Sequence, residues 1–491
     1  MSPTIETNSL NWDWNHVVEF NDEKIEPDLL NRNKYAKHIY EISSIRGKDK
    51  PFTLNLNAQW GAGKTHFVKM LAATIKDNHP VIYIDAWKQD YSNDPLIAIF
   101  SSIIDQLRKQ SKKFISISNK LEKKLTILLS DVAPALANSV TKLATSSEIL
   151  GQSAQKVTEH LIKIHNEKND AIANVKKDIS EWVALIKQKD ATDKDLPIYI
   201  FIDELDRCRP SYAIKLLETV KHIFDVKGLV FIISTDTNQL QHSIKVIYGN
   251  GFDATHYLSR FFDRRFVLPS PSVFDLLWVR TPESILNNFN EFKKLLHPQP
   301  SEVDGFISAY SSIIEGLDIS LRESLKIYDK ACDIILIHNS PIDHVLLFIL
   351  ISLNEKYPEI YDRIKSKDTV SDQYSDRLSS KIKLEMNLSR TVTGVVRFSD
   401  YGLGTLTNSY NIVNEQYSIE EYVNESLYVI NCESPITKGN DDYGIHWTNG
   451  GISSEVNLRN RLMVTWAAQK ESSNNIRTSE YYDLVELSTL L

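Results

Sequence analysis

The sequence predicts an α/β fold. It is read as a parallel sheet covered by helices, interrupted by a long helical insertion and followed by a helical region and a small mixed or β-rich C-terminal module. Three observations predict it. Short, branched apolar runs ("FTLNLNA", "VIYIDAW", "IYIFIDELD", "LVFIIST") alternate with helical stretches, and strands buried on both faces read as runs of this kind. A glycine turn, "AQWGAGKT", follows the first run and opens a helix. The span from about 95 to 190 is nearly free of glycine and rich in Lys, Leu, Ile and Ser, which reads as two or three inserted helices.

Taken in order, "PDLLNRNKYAKHIYEI" has helical periodicity at Tyr35, Ile39 and Ile42, and a polar loop with Gly47 is expected after it. The first core strand leads through the glycine turn to a helix from about Thr65 to Lys76. "VIYIDAW" is the second strand. "IYIFIDELD" and "LVFIIST" follow the insertion, with a helix between them at about Ser211 to Phe224. "RRFVLP" is a fifth strand, ended by Pro269. From about Ser270 to Lys383 the pattern is mostly helical, and Val345 to Leu353 reads as a buried helix. After about Thr391, "TVTGVV", "ESLYVINC" and "IHWTNGG" read as strands. The expected organisation is an extension at 1–26, a sheet domain at 27–269, a helical domain at 270–390 and a terminal module at 391–491.

Composition excludes several classes. The chain has 491 residues, enough for two or three cores. Its three cysteines, Cys208, Cys332 and Cys432, lie far apart, so no disulfide framework or metal spacing is expected, in keeping with a reducing cytoplasm. The first residues lack the basic and apolar regions of a secretory signal. No run reaches the roughly 18 apolar residues of a membrane helix; the stretch Val132 to Ala144 is broken by Pro134, Asn138 and Lys142. Net charge is −8 overall, and from Tyr401 onward 5 basic against 12 acidic residues give −7. That acidity argues against a phosphate-backbone grip by the C-terminal region. His338, His344 and His446, the last beside Trp447, stand singly and suggest no metal, nuclease or protease site.

The glycine turn carries the chemistry. Ala58 to Thr65 fits the P-loop pattern at Gly61, Gly63, Lys64 and Thr65, with Ala58 in place of the first glycine. Such a loop turns backbone N–H groups inward to cradle phosphate, and the next helix aims its positive end at the same anion. Trp60, Gly61, Ala62, Gly63, Lys64, Thr65 and His66 are therefore the candidates to contact a nucleotide, ATP or GTP. Lys64 would neutralise phosphate and Thr65 would ligate Mg2+. The acid pair Asp203 and Glu204 ends an apolar strand: Asp203 is the candidate to hold magnesium through water, and Glu204 the general base. Asp206 and Arg207 read as a cap or pairing partner for the following helix, or as a local ion pair. Asp236, after "LVFIIST", either meets the γ-phosphate or caps the helix beginning near Asn238. Arg260, Arg264 and Arg265 either stabilise phosphate charge, in cis or from a neighbouring subunit, or form an ion-paired surface.

These segments together resemble the KAP family of P-loop NTPases: "LNRNKYAKHIYEI", "WGAGKT", "IDAWKQD", "FIDELDRCRPSYAIKLLETVKHIFD" and "LVFIISTD". The resemblance covers about Pro27 to Pro269. It implies a P-loop NTPase sheet of the ATPase class, with a strand inserted between the P-loop strand and the acid strand, and relation to the AAA and STAND groups. It also implies a homo-oligomer, since those groups share sites across subunits. Phage-exclusion members of the family make anti-phage defence the implied setting, with a separate effector or a phage-derived trigger as partners. Family members often carry Asp-Asp where Glu204 is the second acid here. The leading expectation is an ATP-hydrolysing switch. The alternatives are a non-hydrolysing scaffold and a nucleic-acid motor; the latter rests on Arg108, Lys109, Lys112, Lys113, Lys120, Lys123 and Lys124 along one helix.

Overall fold

The computed structural model describes residues 10–92, 94–110, scattered positions between 173 and 184, 194–300, 302–338, 340–366, 384–394, 406–431, 447–448, 451–452 and 477–487. The chain divides into two compact units, Met1–Ser270 and Pro271–Leu491. Most of the predicted insertion, including Lys112 to Lys124 and Val132 to Ala144, lies outside the described residues; its first helix is Pro95–Gln110. No described helix is long and apolar enough to cross a membrane.

The first unit opens with a hairpin of β1 (Val18–Phe20) and β2 (Glu23–Ile25). Asn21 and Asp22 turn it with φ of 51° and 63°, the left-handed pair that a two-residue hairpin loop requires. Helix α1 (Asn33–Asp49) follows, then β3 (Phe52–Asn57), α2 (Lys64–Ile75), β4 (Val81–Asp85), β5 (Ile198–Asp203), β6 (Leu229–Thr235) and β7 (Arg264–Val267). The five strands β3 to β7 form a parallel sheet in the order β4-β5-β6-β3-β7. β5 and β6 are buried at every residue, which is why their sequences run apolar without alternation. β6 lies between the P-loop strand β3 and the acid strand β5, as the resemblance implied.

Gly47 does not lie in a loop. It belongs to α1, and a Cβ on it would stand 2.2 Å from Val230 Cγ2 on β6. The glycine marks a close approach of helix to sheet, which its sequence neighbourhood does not reveal. Residues 14 to 26 pack on α2: Trp14 is buried, stacks edge-on to Phe67 and donates to Thr74 Oγ1 at 2.9 Å, while Lys69 pairs with Glu23.

The second unit is built on helices around His344–Lys356, whose residues from His344 to Leu353 are all buried. Helices Val303–Gly316, Leu321–His338 and Pro358–Lys365 share its core. β8 (Leu296–His297) and β9 (Ile342–Asp343) pair in parallel, and β10 (Leu384–Gly394) with β11 (Leu406–Tyr417) makes a long antiparallel hairpin. Glu425 to Asn431 of "ESLYVINC" are helical, contrary to the strand-like reading: they belong to Ile419–Asn431, whose Ile419, Tyr422 and Val423 enter the same core, as do Tyr481 and Val485 of Thr478–Leu487. The 3.6-residue spacing of Ile419, Tyr422, Val423 and Ser426 outweighs the β-branched content. Asp343 is fully buried here. It caps His344–Lys356 by accepting from Leu346 N, accepts from Tyr422 Oη at 3.0 Å, and its N–H donates to Tyr481 Oη.

Candidate functional site

β3 runs out at Asn57, and the chain must reverse before α2 begins. Gly61 and Gly63 make the turn with φ of 86° and 76°, a region that a Cβ disfavours. Ala58 is not under that constraint. Its N–H donates to Thr235 O of β6 and its carbonyl accepts from Lys64 Nζ at 2.8 Å, so an alanine serves where the P-loop pattern has glycine. Lys64 opens α2 with its amine folded across the loop onto the Ala58 and Gln59 carbonyls. No side chain caps the N-terminus of α2, which leaves the first N–H groups of the helix as donors for an anion.

β5 delivers the acids to the same end of the sheet. Asp203 is fully buried. Its Oδ2 accepts from Tyr83 Oη of the adjacent β4 at 3.0 Å, and its Oδ1 accepts from Glu204 N. Burial, then the charge of Asp203, pushes the Tyr83 hydroxyl above its ordinary range, so it stays a donor. Glu204 stands in the left-handed region at φ 59°, which is uncommon for a residue with a side chain. This turn swings its carboxylate back toward the P-loop: Oε1 accepts from Thr65 Oγ1 at 3.2 Å, and Oε2 pairs with Arg207 Nε at 2.5 Å. Burial raises the Glu204 pKa, with a further push from Asp203 and an opposing pull from Arg207 and Thr65.

Asp206 and Arg207 do not serve the next helix. Asp206 accepts from Trp60 Nε1 of the P-loop at 2.5 Å, and Arg207, besides holding Glu204, lies over the exposed Trp87 ring at 5.4 Å. The short helical turn Leu205–Arg207 carries both residues, Asp206 reaching the loop and Arg207 reaching Glu204 and Trp87. Asp236 caps the helix Thr237–Tyr248, accepting from Asn238 N and Gln239 N, so its helix-capping alternative accounts for its placement. Beneath the loop, buried Asn55, Thr235 and Thr237 hydrogen-bond to one another across β3 and β6, and Asn57 Oδ1 accepts from Thr237 N. Asn55 and Asn57 inside an otherwise apolar strand were the available signal for this polar junction.

Two functional-looking residues escaped the sequence reading altogether. Asp28 and Arg32, 2% and 5% exposed, form an ion pair immediately behind the P-loop. Arg32 Nη1 donates to Ala62 O at 3.0 Å and Gly63 O at 3.4 Å, and Nη2 reaches His66 Nδ1 at 3.1 Å. The His66 Nε2 lies 2.8 Å from Glu26 O. His66, a candidate phosphate contact, is thus turned to the far side of the loop, against the strap before α1; burial lowers its pKa. An aspartate and an arginine four residues apart, just ahead of a helix, were the visible signal.

Two of the three arginines are set back along the sheet from this cluster. Arg264 and Arg265 sit on edge strand β7 opposite Leu54 and Asn55, with Arg264 about 10 Å short of the end of β3 at ~3.3 Å per residue. Arg260 follows the helix Ala254–Ser259. All three are exposed, and none has an ion-pair partner among the described residues.

The residues present suit a nucleotide with magnesium. Gly61 and Gly63 let the loop turn tightly, Lys64 lies across it, and the nearby ligands are oxygens: Thr65, Asp203 and Glu204. Hard divalent cations take oxygen ligands, and magnesium needs only one or two from protein when phosphate supplies others.

Comparison with known proteins places the chain. The phage T7 exclusion protein of Escherichia coli (strain K12) is 25% identical over 235 residues, covering 45% of this chain and 31% of that protein. The chain therefore spans about a third of that relative's length. Among solved structures, the ORC2 protein of Aeropyrum pernix is 11% identical and covers 69% of this chain and 73% of its own, with a TM-score of 0.34. RuvB of Thermotoga maritima (T158V) is 10% identical, covers 72% and 86%, and has a TM-score of 0.28. At these scores the likeness carries no functional information. The KAP family P-loop domain matches residues 32–290. That is more than half of the chain and it encloses Arg32, the glycine loop and both acids, so the chain belongs to the KAP family of P-loop NTPases.

Proposed function

We propose that the protein binds and hydrolyses ATP with Mg2+ and works as a nucleotide-driven switch or assembly platform in anti-phage defence. The observation that carries the catalytic part is the 3.2 Å contact between Thr65 Oγ1 and Glu204 Oε1. It brings together two segments 139 positions apart, over the end of the sheet where Lys64 and Asp203 also lie. Lys64 would leave its loop carbonyls to meet phosphate oxygens. Thr65 and, through water, Asp203 are the residues that would hold magnesium. Bound magnesium supplies positive charge that offsets the charge on the phosphates. Glu204, made a stronger base by its burial and by the neighbouring Asp203, would polarise the attacking water.

The defence setting and the switch role draw support from family membership and from the relative named as a phage exclusion protein. Homo-oligomerisation belongs to the same proposal, as does a separate effector or phage-derived trigger. Titration calorimetry with ATP and magnesium, together with phosphate release, tests the reading. Lys64→Ala is expected to lose binding while keeping its melting temperature. Glu204→Gln is expected to keep binding and lose turnover by about 10²-fold or more. Full turnover in Glu204→Gln would refute the base assignment, and unchanged affinity in Lys64→Ala would remove the lysine from the site.

A further inference from the structure

We propose that Arg32 is a positioning residue of the nucleotide site, which aims the phosphate-binding N–H groups of the P-loop from behind. The inference deepens the nucleotide-binding reading and rests on it.

Burying an ion pair is a poor route to stability, because desolvation offsets the attraction and apolar replacements are often as good. Asp28 and Arg32 are nonetheless buried together, with every part of the guanidinium engaged. Nε and Nη2 face Asp28, Nη1 takes the Ala62 and Gly63 carbonyls, and Nη2 also reaches His66. Asp28 Oδ2 is fixed in turn by Arg32 N at 2.8 Å. Such a fork is a rigid template for several acceptors at once, which a lysine cannot reproduce.

The acceptors it selects matter. In a planar trans peptide the C=O and the following N–H point in opposite directions. Holding Ala62 O and Gly63 O on the Arg32 side therefore directs Gly63 N–H and Lys64 N–H to the other side, where phosphate is expected. Gly63 leaves room for this: a Cβ there would stand 2.8 Å from Arg32 Nη1. His66 completes the backing, with Nδ1 toward Arg32 and Nε2 toward Glu26 O. A neutral imidazole supplies one acceptor and one donor, which matches these two partners. The donor geometry of the loop is thus set by a strap, residues 26–32, that lies outside the P-loop motif.

The test measures binding of Mg·ATP and of inorganic tripolyphosphate to the full chain, for wild type, Lys64→Ala, Arg32→Gln and Arg32→Lys. Melting temperature without ligand is recorded for each. Both Arg32 variants are expected to weaken both ligands by the same factor, about tenfold to a hundredfold, because the damage is to phosphate donors common to the two. If Arg32→Gln does not fold, Arg32→Lys decides, since it keeps a cation beside Asp28. Folded variants with wild-type affinities and a lowered melting temperature would reduce Arg32 to structural support and overturn the proposal. Loss of ATP binding with tripolyphosphate binding intact would also overturn it, by placing the defect at the nucleoside. A wild type that binds neither ligand, indistinguishable from Lys64→Ala, would overturn the nucleotide reading itself.

Discussion

Tyr83→Phe isolates one hydroxyl at the centre of the site. The ring would keep its neighbours, Phe20 edge-on at 6.2 Å and Lys69 above it at 5.8 Å. What disappears is the donor to Asp203 Oδ2 at 3.0 Å. Asp203 has no solvent exposure, so water cannot replace that donor. A hydrogen bond to a charged group is worth about 1.5–3 kcal/mol, and freeing the tyrosine hydroxyl from burial returns part of it. The expected net loss is about 2 kcal/mol, on the order of 5 °C in the melting of a unit this size. The carboxylate would also lose one of the two donors that fix its rotation, keeping only Glu204 N–H. Partners of this kind typically change metal affinity by about 10–100-fold when removed, so half-saturating magnesium in the ATPase assay should rise by about tenfold. Thermal unfolding and a magnesium titration of turnover measure the two effects. A variant with wild-type melting and wild-type magnesium dependence would refute this role and leave Asp203 oriented by Glu204 N–H and its strand.

Three further outcomes are expected. The fully buried Asp343 has its pKa raised from 3.8 to about 6, chiefly by burial. The folded state then holds the proton more tightly than the unfolded one, and stability falls by about 3 kcal/mol as pH rises from about 4 to 6. Asp343→Asn, which keeps a capping oxygen for Leu346 N, should remove that decline; denaturant unfolding across this range checks it, and parallel curves for the two proteins would contradict it. Because the Glu204 pKa is raised, turnover should fall on acidification at a pH above the ordinary carboxylate range, as a pH–rate profile would show; a loss only at ordinary carboxylate pH would count against Glu204 as base. ATP analogue should promote homo-oligomers in mass photometry, and mixing an Arg260, Arg264 or Arg265 mutant with Glu204→Gln should restore some ATPase. A protein that stays monomeric and shows no rescue would end the shared-site reading.

The sheet was legible because each core strand is a short apolar run ended by a polar or glycine signal, and burial on both faces forces that pattern. The glycine loop and the acid pair were legible because their chemistry dictates residue type at fixed spacing. The partners of those residues were not. Tyr83 reads as one more large residue in a buried strand, and only the β4–β5 register sets its hydroxyl against Asp203. Arg32 reads as a polar residue before a helix, because its burial comes from a loop thirty positions away. Gly47 reads as a loop glycine since Val230, which excludes its Cβ, is remote in sequence. "ESLYVINC" misled for the opposite reason: local composition favoured a strand, and a core formed by distant helices decided otherwise.

The bond from Trp60 to Asp206 gives the site an optical label of its own. The indole stands on the loop that is expected to receive phosphate, 45% exposed and with its N–H on a carboxylate. Its emission depends on that hydrogen bond and on nearby charge, so reorganisation of the loop around a polyphosphate would alter it. The sequence contains eight tryptophans, and subtracting the spectrum of Trp60→Phe isolates this one. Occupancy of the loop can then be followed in the stopped flow with unmodified nucleotide, before any bond is broken.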